Sequence, residues 1–227
     1  MFYFHYGERQ HIDKFFEDGS IQIGTLRSYD TEAYGNMVGD DQEGLSFCDI
    51  DANKFHDFSS QSKQFSPDIS AMFGQGCFGS IVRHTSESFN YAIFCVSRIL
   101  HKNLCRDFSP KYDSAIIIER PFPFFAELTK SFEESRLAES VVFQHVEDIE
   151  YRSNRYTEDP FDLVECFIKP ENYQHQAETR AIWNAGKDPQ RFFRFKAPQA
   201  VRCCKRILIE DMPDYEPGSD ASVFLPA

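Results

Sequence analysis

Basic residues are scarce in this chain: 24 Lys and Arg stand against 36 Asp and Glu, a formal charge of −12. So acidic a surface repels nucleic acid and anionic lipid at long range, which argues against a general nucleic-acid binder or a polybasic membrane-surface protein. No run approaches the ~18 apolar residues of a membrane span, and Met1-Phe-Tyr-Phe-His5 has no basic region, apolar core or small-residue cleavage site. The expectation is a protein with no secretion signal, no membrane segment and no membrane partner. Its seven cysteines (Cys48, Cys77, Cys95, Cys105, Cys166, Cys203 and Cys204) are odd in number and form no Cys-x-x-Cys pair. That argues against a disulfide framework and a structural metal of the zinc type, and suggests a reducing, cytoplasmic setting. Internal repeats and regular βαβ alternation are missing as well.

Aromatic residues are abundant. With 24 Phe and 10 Tyr in 227 residues, the composition favours strands around a bulky aromatic core over a helical bundle. The patterns predict a strand over 2–6, a helix over 8–17 stopped by Gly19, and a strand over 21–26. A polar loop covers 27–44 and a strand 45–50, while 51–80 has no stable period. Further strands are expected over 89–97 and 115–119. Pro121 opens a helix to about 139 with Phe124, Phe125, Leu128, Phe132 and Leu137 as its apolar stripe. Strands over 141–146, 162–169, 173–183, 192–196 and 200–209 follow. Two helices among about nine strands predict an α+β fold of packed, mostly antiparallel or mixed sheets. We expect one domain over 1–210 and a flexible acidic C-terminal tail over 211–227.

The stretch from Cys166 to Trp183 alone combines a strand pattern with chemically costly groups. From Gln174 onwards a period of two puts Gln174, Gln176, Glu178, Arg180 and Ile182 on one face, and His175, Ala177, Thr179, Ala181 and Trp183 on the other. An amide and a carboxylate two residues apart on an extended backbone lie about 6 to 7 Å from one another, close enough to hold two parts of one substrate. The same pattern fits a sheet face turned to water, on which Glu178 pairs with Arg180 or a cross-strand cation.

Gln176-Ala-Glu178 late in the chain, His5 on the first strand and Ser97 closing a central strand together resemble the ADP-ribosyltransferase superfamily, in its toxin-like Gln-x-Glu form. The family's Ser-Thr-Ser is shortened here to Val96-Ser97-Arg98. The resemblance implies an ADP-ribosyltransferase-like fold, and NAD as the substrate from which ADP-ribose passes to a macromolecular acceptor. It further implies a toxin or anti-phage effector, with an antitoxin or regulatory protein as a possible partner. On that resemblance Glu178 and Gln176 are the catalytic pair, and His5, Tyr29, Ser97, Arg27 and Arg98 bind NAD. Tyr29 competes with Ser97 for the middle position, and the loop with Tyr173 and His175 selects the acceptor. The chemistry is consistent: breaking the nicotinamide–ribose bond builds positive charge on the sugar, and a fixed carboxylate is the group that stabilises it. The N-terminal strand, helix, Gly19 and Ile21-Gln-Ile-Gly-Thr-Leu26 pattern is also similar to a broad set of uncharacterised bacterial and phage proteins.

The bland alternatives are concrete. His5 among aromatics fits a core histidine bonded to backbone, and Ser97 fits a hydroxyl that caps a loop. Two rival functions remain open at this point. Asp40, Asp41 and Glu43 offer oxygen ligands for a metal-dependent hydrolase or nuclease, and the aromatic residues between Phe55 and Phe78 would suit a binding module without chemistry.

Overall fold

The computed structural model of the chain describes residues 1–28, 45–51, 81–87, 91–135, 142–152, 165–184 and 192–214. Strand β1 (Tyr3–Gly7) leads into helix α1 (Arg9–Asp18), which buries Ile12 and Phe15. Gly19 ends the helix with a φ of 79° and returns its N–H to the Phe15 carbonyl, as a left-handed cap does. Next come β2 (Ser20–Thr25) and an antiparallel hairpin of β3 (Leu45–Asp51) and β4 (Ile81–Glu87). The middle of the chain forms β5 (Ala92–Ser97), helix α2 (Lys102–Phe108), β6 (Ser114–Ile118) and helix α3 (Pro121–Glu134). Then follow β7 (Val142–Asp148), β8 (Glu150–Arg152) and β9 (Ile168–Pro170), and finally β10 (Glu178–Asn184), β11 (Phe192–Lys196) and β12 (Cys204–Leu208).

Eight strands make one sheet, in which β11, β2, β5, β1, β6 and β12 lie in that order, β10 also pairs with β5, and β7 pairs with β10. Every pairing in it is antiparallel, and β8 and β9 form a separate parallel pair. The fold is therefore a mixed α+β one built on a mostly antiparallel sheet. One edge of β5 is zipped to β10 from Ala92 to Ser97. Its other edge is shared, with β2 paired at Ala92 and Ile93 and β1 only at Ser97. The sheet consequently splits along the middle of β5, where β1 and β2 part company.

Side chains alternate across this split sheet into separate clusters. Phe94, Val96, Ala181 and Trp183 pack under α1 and α3 with Phe15, Phe124, Leu128 and Phe132. Phe4, Tyr6, Ala115 and Ile117 pack with Leu104 and Cys105 of α2 and with Met212. Ile93 and Ile182 join Leu26, Ile149, Cys166 and Phe167 on the remaining face. Trp183 donates its indole N–H to Thr129 Oγ1 at 2.9 Å, which fixes α3 to the sheet.

Several expectations are corrected. Residues 171–176 are a 3-10 turn, and Ala177 is left-handed at φ 42°, so the strand starts at Glu178 and the period of two does not extend back to Gln176. Of the strand expected over 162–169, residues 162–164 lie outside the described residues, Glu165–Phe167 form a 3-10 turn, and strand begins at Ile168 in β9. Helix α2 was not anticipated: its cap is the His101 ring, which accepts from the Leu104 N–H at 2.9 Å. The start of the expected tail is packed, with Met212 buried and the Pro213 carbonyl accepting from Lys102 N–H.

Candidate functional site

Phe4 of β1, Ser97 of β5 and Glu178 of β10 are direct cross-strand neighbours, forming one row across three strands. One residue past Phe4, β1 leaves β5, and the His5 ring replaces the missing ladder bond: Nδ1 donates to the Cys95 carbonyl at 3.0 Å. Because a carbonyl only accepts, that bond fixes the proton on Nδ1. Burial lowers the pKa of His5, a change that the backbone bond opposes, so the ring is neutral at neutral pH with Nε2 as an acceptor. The ring also stacks on Phe94, centroids 4.4 Å apart.

A cavity of about 90 Å³ opens at the split. Phe4, Tyr6, Phe108 and Tyr112 form its apolar side, while Ser97, Lys169, Gln176, Glu178 and Arg180 form its polar side; His5 is also in the wall. The volume is well below the roughly 300–1,000 Å³ of ordinary ligand pockets, so it takes one small group rather than a whole dinucleotide.

The polar side is one bonded cluster. Glu178 is only 5% exposed, and its Oε1 accepts from Arg180 Nε at 2.6 Å while its Oε2 accepts from Lys169 Nζ at 2.7 Å. Lys169 Nζ also donates to Gln176 Oε1 at 3.2 Å and stands 5.1 Å from the centre of the Tyr173 ring. Arg180 donates a second bond to the Cys166 carbonyl at 2.6 Å. Burial by itself would raise the Glu178 pKa, but the charges of Arg180 and Lys169 outweigh it and hold the carboxyl well below its usual range. Among the described residues, two cations face the Glu178 carboxylate. The Glu178 backbone N–H donates to the Tyr151 hydroxyl at 2.7 Å. Burial, then the Glu178 charge, push that phenol above its ordinary value.

His5, Ser97, Gln176 and Glu178 thus share one cavity wall, although Gln176 arrives from a turn and not from a strand face. Ser97 donates to the Gln176 carbonyl at 2.7 Å and accepts from the Ile99 N–H at 3.0 Å, which ties the turn to the end of β5. The water-facing alternative for Glu178 and Arg180 is overturned, since both are buried. Arg98 does not line the cavity; it pairs with Asp148 at 2.8 Å on the surface. Tyr173 is buried beneath the Lys169 ammonium rather than presented to an acceptor, whereas His175 is exposed and its Nδ1 bonds the Asn172 carbonyl. Tyr29, the Arg27 side chain, the acidic residues 40–43 and the aromatic stretch 55–78 lie outside the described residues. Among the described residues no group of three His, Cys, Asp or Glu side chains is placed to hold a metal, and no helix is long and apolar enough to cross a membrane.

From the sequence Lys169 is expected at the start of the acceptor loop, whereas the structure buries it against Glu178 and Gln176, and Tyr151 was not singled out. The available signal for Lys169 was its place directly after the apolar Cys166-Phe-Ile168, where a lysine has little water to reach. No protein-family model, curated protein or solved structure matches the chain.

Proposed function

We propose that this chain is an NAD-dependent ADP-ribosyltransferase in which Glu178 faces the ribosyl carbon and Gln176 orients the incoming nucleophile. The observation that carries this reading is the convergence of a first-strand histidine, a central-strand serine and a late amide–carboxylate pair on one cavity at the split of the sheet. In the reaction the bond from the ribosyl carbon to the nicotinamide nitrogen breaks, and its electron pair stays on nicotinamide, which leaves neutral. The acceptor nucleophile then bonds to the ribosyl carbon and gives its proton to solvent.

Each side chain has a part that follows from its state. Glu178 is ionised at every physiological pH, so it needs no deprotonation before it stabilises charge developing on the sugar. The Nε2 lone pair of His5 suits a sugar hydroxyl. The small cavity takes one group at the reacting end of NAD, and the rest of the dinucleotide lies outside it.

A second reading rests on the charge of the cluster. Lys169 and Arg180 on the wall of a small cavity suit a small anion held without chemistry, as in a binding module. Incubation of the purified protein with NAD, with candidate proteins, RNA or DNA as acceptors, decides between the two: release of free nicotinamide supports the transferase. Binding of phosphate with no nicotinamide release supports the module.

A further inference from the structure

We propose that Lys169 is the positioning residue that makes Gln176 and Glu178 a single site. The idea deepens the transferase reading and rests on it only for the identity of the reaction.

Strand alternation does not unite the pair, because Gln176 closes a 3-10 turn and Ala177 turns the chain at φ 42° before β10 begins. The two side chains leave the backbone from different local geometries. Lys169 Nζ bonds to both, 3.2 Å from the amide oxygen and 2.7 Å from the carboxylate. Arg180 cannot serve in its place: it sits two residues along the same strand, holds the other carboxylate oxygen and is anchored to the Cys166 carbonyl. It fixes Glu178 to its own strand whatever Gln176 does.

Lys169 comes from a separate element. β9 carries it opposite Tyr151 of β8, and Tyr151 also receives the Glu178 backbone N–H. Lys169 is 4% exposed, a placement that is costly unless the charge is paired and bonded. An ammonium is a compact charge with donors in several directions, so it can serve an amide and a carboxylate at once, whereas a guanidinium imposes a flat fork. The site therefore depends on a lysine at this position in a way that charge alone does not satisfy.

The test compares wild type with Lys169→Met, of similar length but neutral, and Lys169→Arg, which keeps charge and loses the point geometry. The first readout is the ¹³C signal of the Glu178 side-chain carboxyl in the full chain without ligand, followed from about pH 8 to about pH 3. It stays flat in wild type and Lys169→Arg, and titrates inside that window in Lys169→Met, because burial persists while one cation is gone. The second readout is nicotinamide release from NAD. Both variants lose roughly tenfold or more in kcat with KM changed less than about threefold, as displacement of a reacting group does. A flat Glu178 signal in Lys169→Met, or full kcat in either variant, overturns the proposal. Should Lys169→Met fail to fold, Lys169→Arg decides: full kcat contradicts the proposal, and the kcat loss with an unmoved Glu178 signal supports it. If the wild type releases no nicotinamide, the transferase reading fails, and the carboxyl titration still decides whether Lys169 holds the site.

Discussion

Replacing Glu178 by Gln keeps the shape of the side chain and its ability to accept from Lys169 and Arg180, but removes a negative charge held between two buried cations. In water such a pair matters little, at most about 1 kcal/mol. Here Glu178, Lys169 and Arg180 are 5%, 4% and 1% exposed, and removing one member of a buried ion pair costs about 3–5 kcal/mol. That is a large share of the roughly 5–15 kcal/mol that stabilises a domain. Urea unfolding reads it directly, because Trp183 is the sole tryptophan and lies fully buried between β10 and α3. With a urea slope of about 2–3 kcal/mol per M, the Glu178→Gln midpoint falls by about 1–2.5 M. The difference is also pH-dependent. Arg180 and Lys169, against the effect of burial, hold Glu178 below its ordinary value of 4.5. A carboxyl depressed in the fold contributes stability that is complete above its unfolded pKa and is lost as pH falls through the folded one. The gap between wild type and variant therefore narrows as pH drops below about 4.5. A midpoint shift under about 0.3 M at neutral pH would refute the reasoning, since it is what an exposed pair gives.

Other outcomes follow from the caps and turns. Burial lowers the His101 pKa, opposed by Asp107 and helped by His175; the neutral ring that caps α2 contributes stability in full above its ordinary value of 6.5, and that contribution is lost as pH falls from 6.5 through the lower folded value. His101→Asn keeps a cap without titrating, so urea midpoints at about pH 5 and pH 7.5 differ less than in wild type, whereas His101→Ala loses about 0.5–2 kcal/mol at pH 7.5 and less at pH 5. An unchanged pH dependence in His101→Asn would contradict this account. Gly19→Ala lowers the melting temperature by several degrees, because a Cβ would stand 2.5 Å from the Pro198 nitrogen at a φ of 79°. A melt equal to wild type would mean that α1 does not approach the chain after β11 so closely.

The sequence is most readable where one period governs a whole element. Phe193 and Phe195 alternate with Arg194 and Lys196, and β11 runs over the residues that this alternation marks. Pro121 and the stripe Phe124, Phe125, Leu128 and Phe132 likewise announce α3. The pattern misleads around Gln176, because Glu178 and Arg180 continue a period of two that the preceding turn happens to share. The break at Ala177 is carried by neither Gly nor Asn, the usual markers of left-handed backbone. Helix α2 went unseen since an imidazole cap lies outside the ordinary Ser, Thr, Asp and Asn signal. The burial of Lys169 and Arg180 was illegible for a different reason: lysine and arginine are almost never fully buried unless paired, and which carboxylate pairs with them is decided by tertiary structure.

The central claim concerns what Glu178 does for the sugar, and the rate of nicotinamide release from NAD by wild type relative to Glu178→Gln tests it most directly. Both proteins are compared at a temperature where circular dichroism shows each folded, with the same acceptors present. The account predicts that the variant still binds NAD and releases nicotinamide roughly 10²- to 10³-fold more slowly, the loss expected on removing a preorganised electrostatic group. Equal rates in the two proteins, or no release by the wild type with any acceptor, would contradict it.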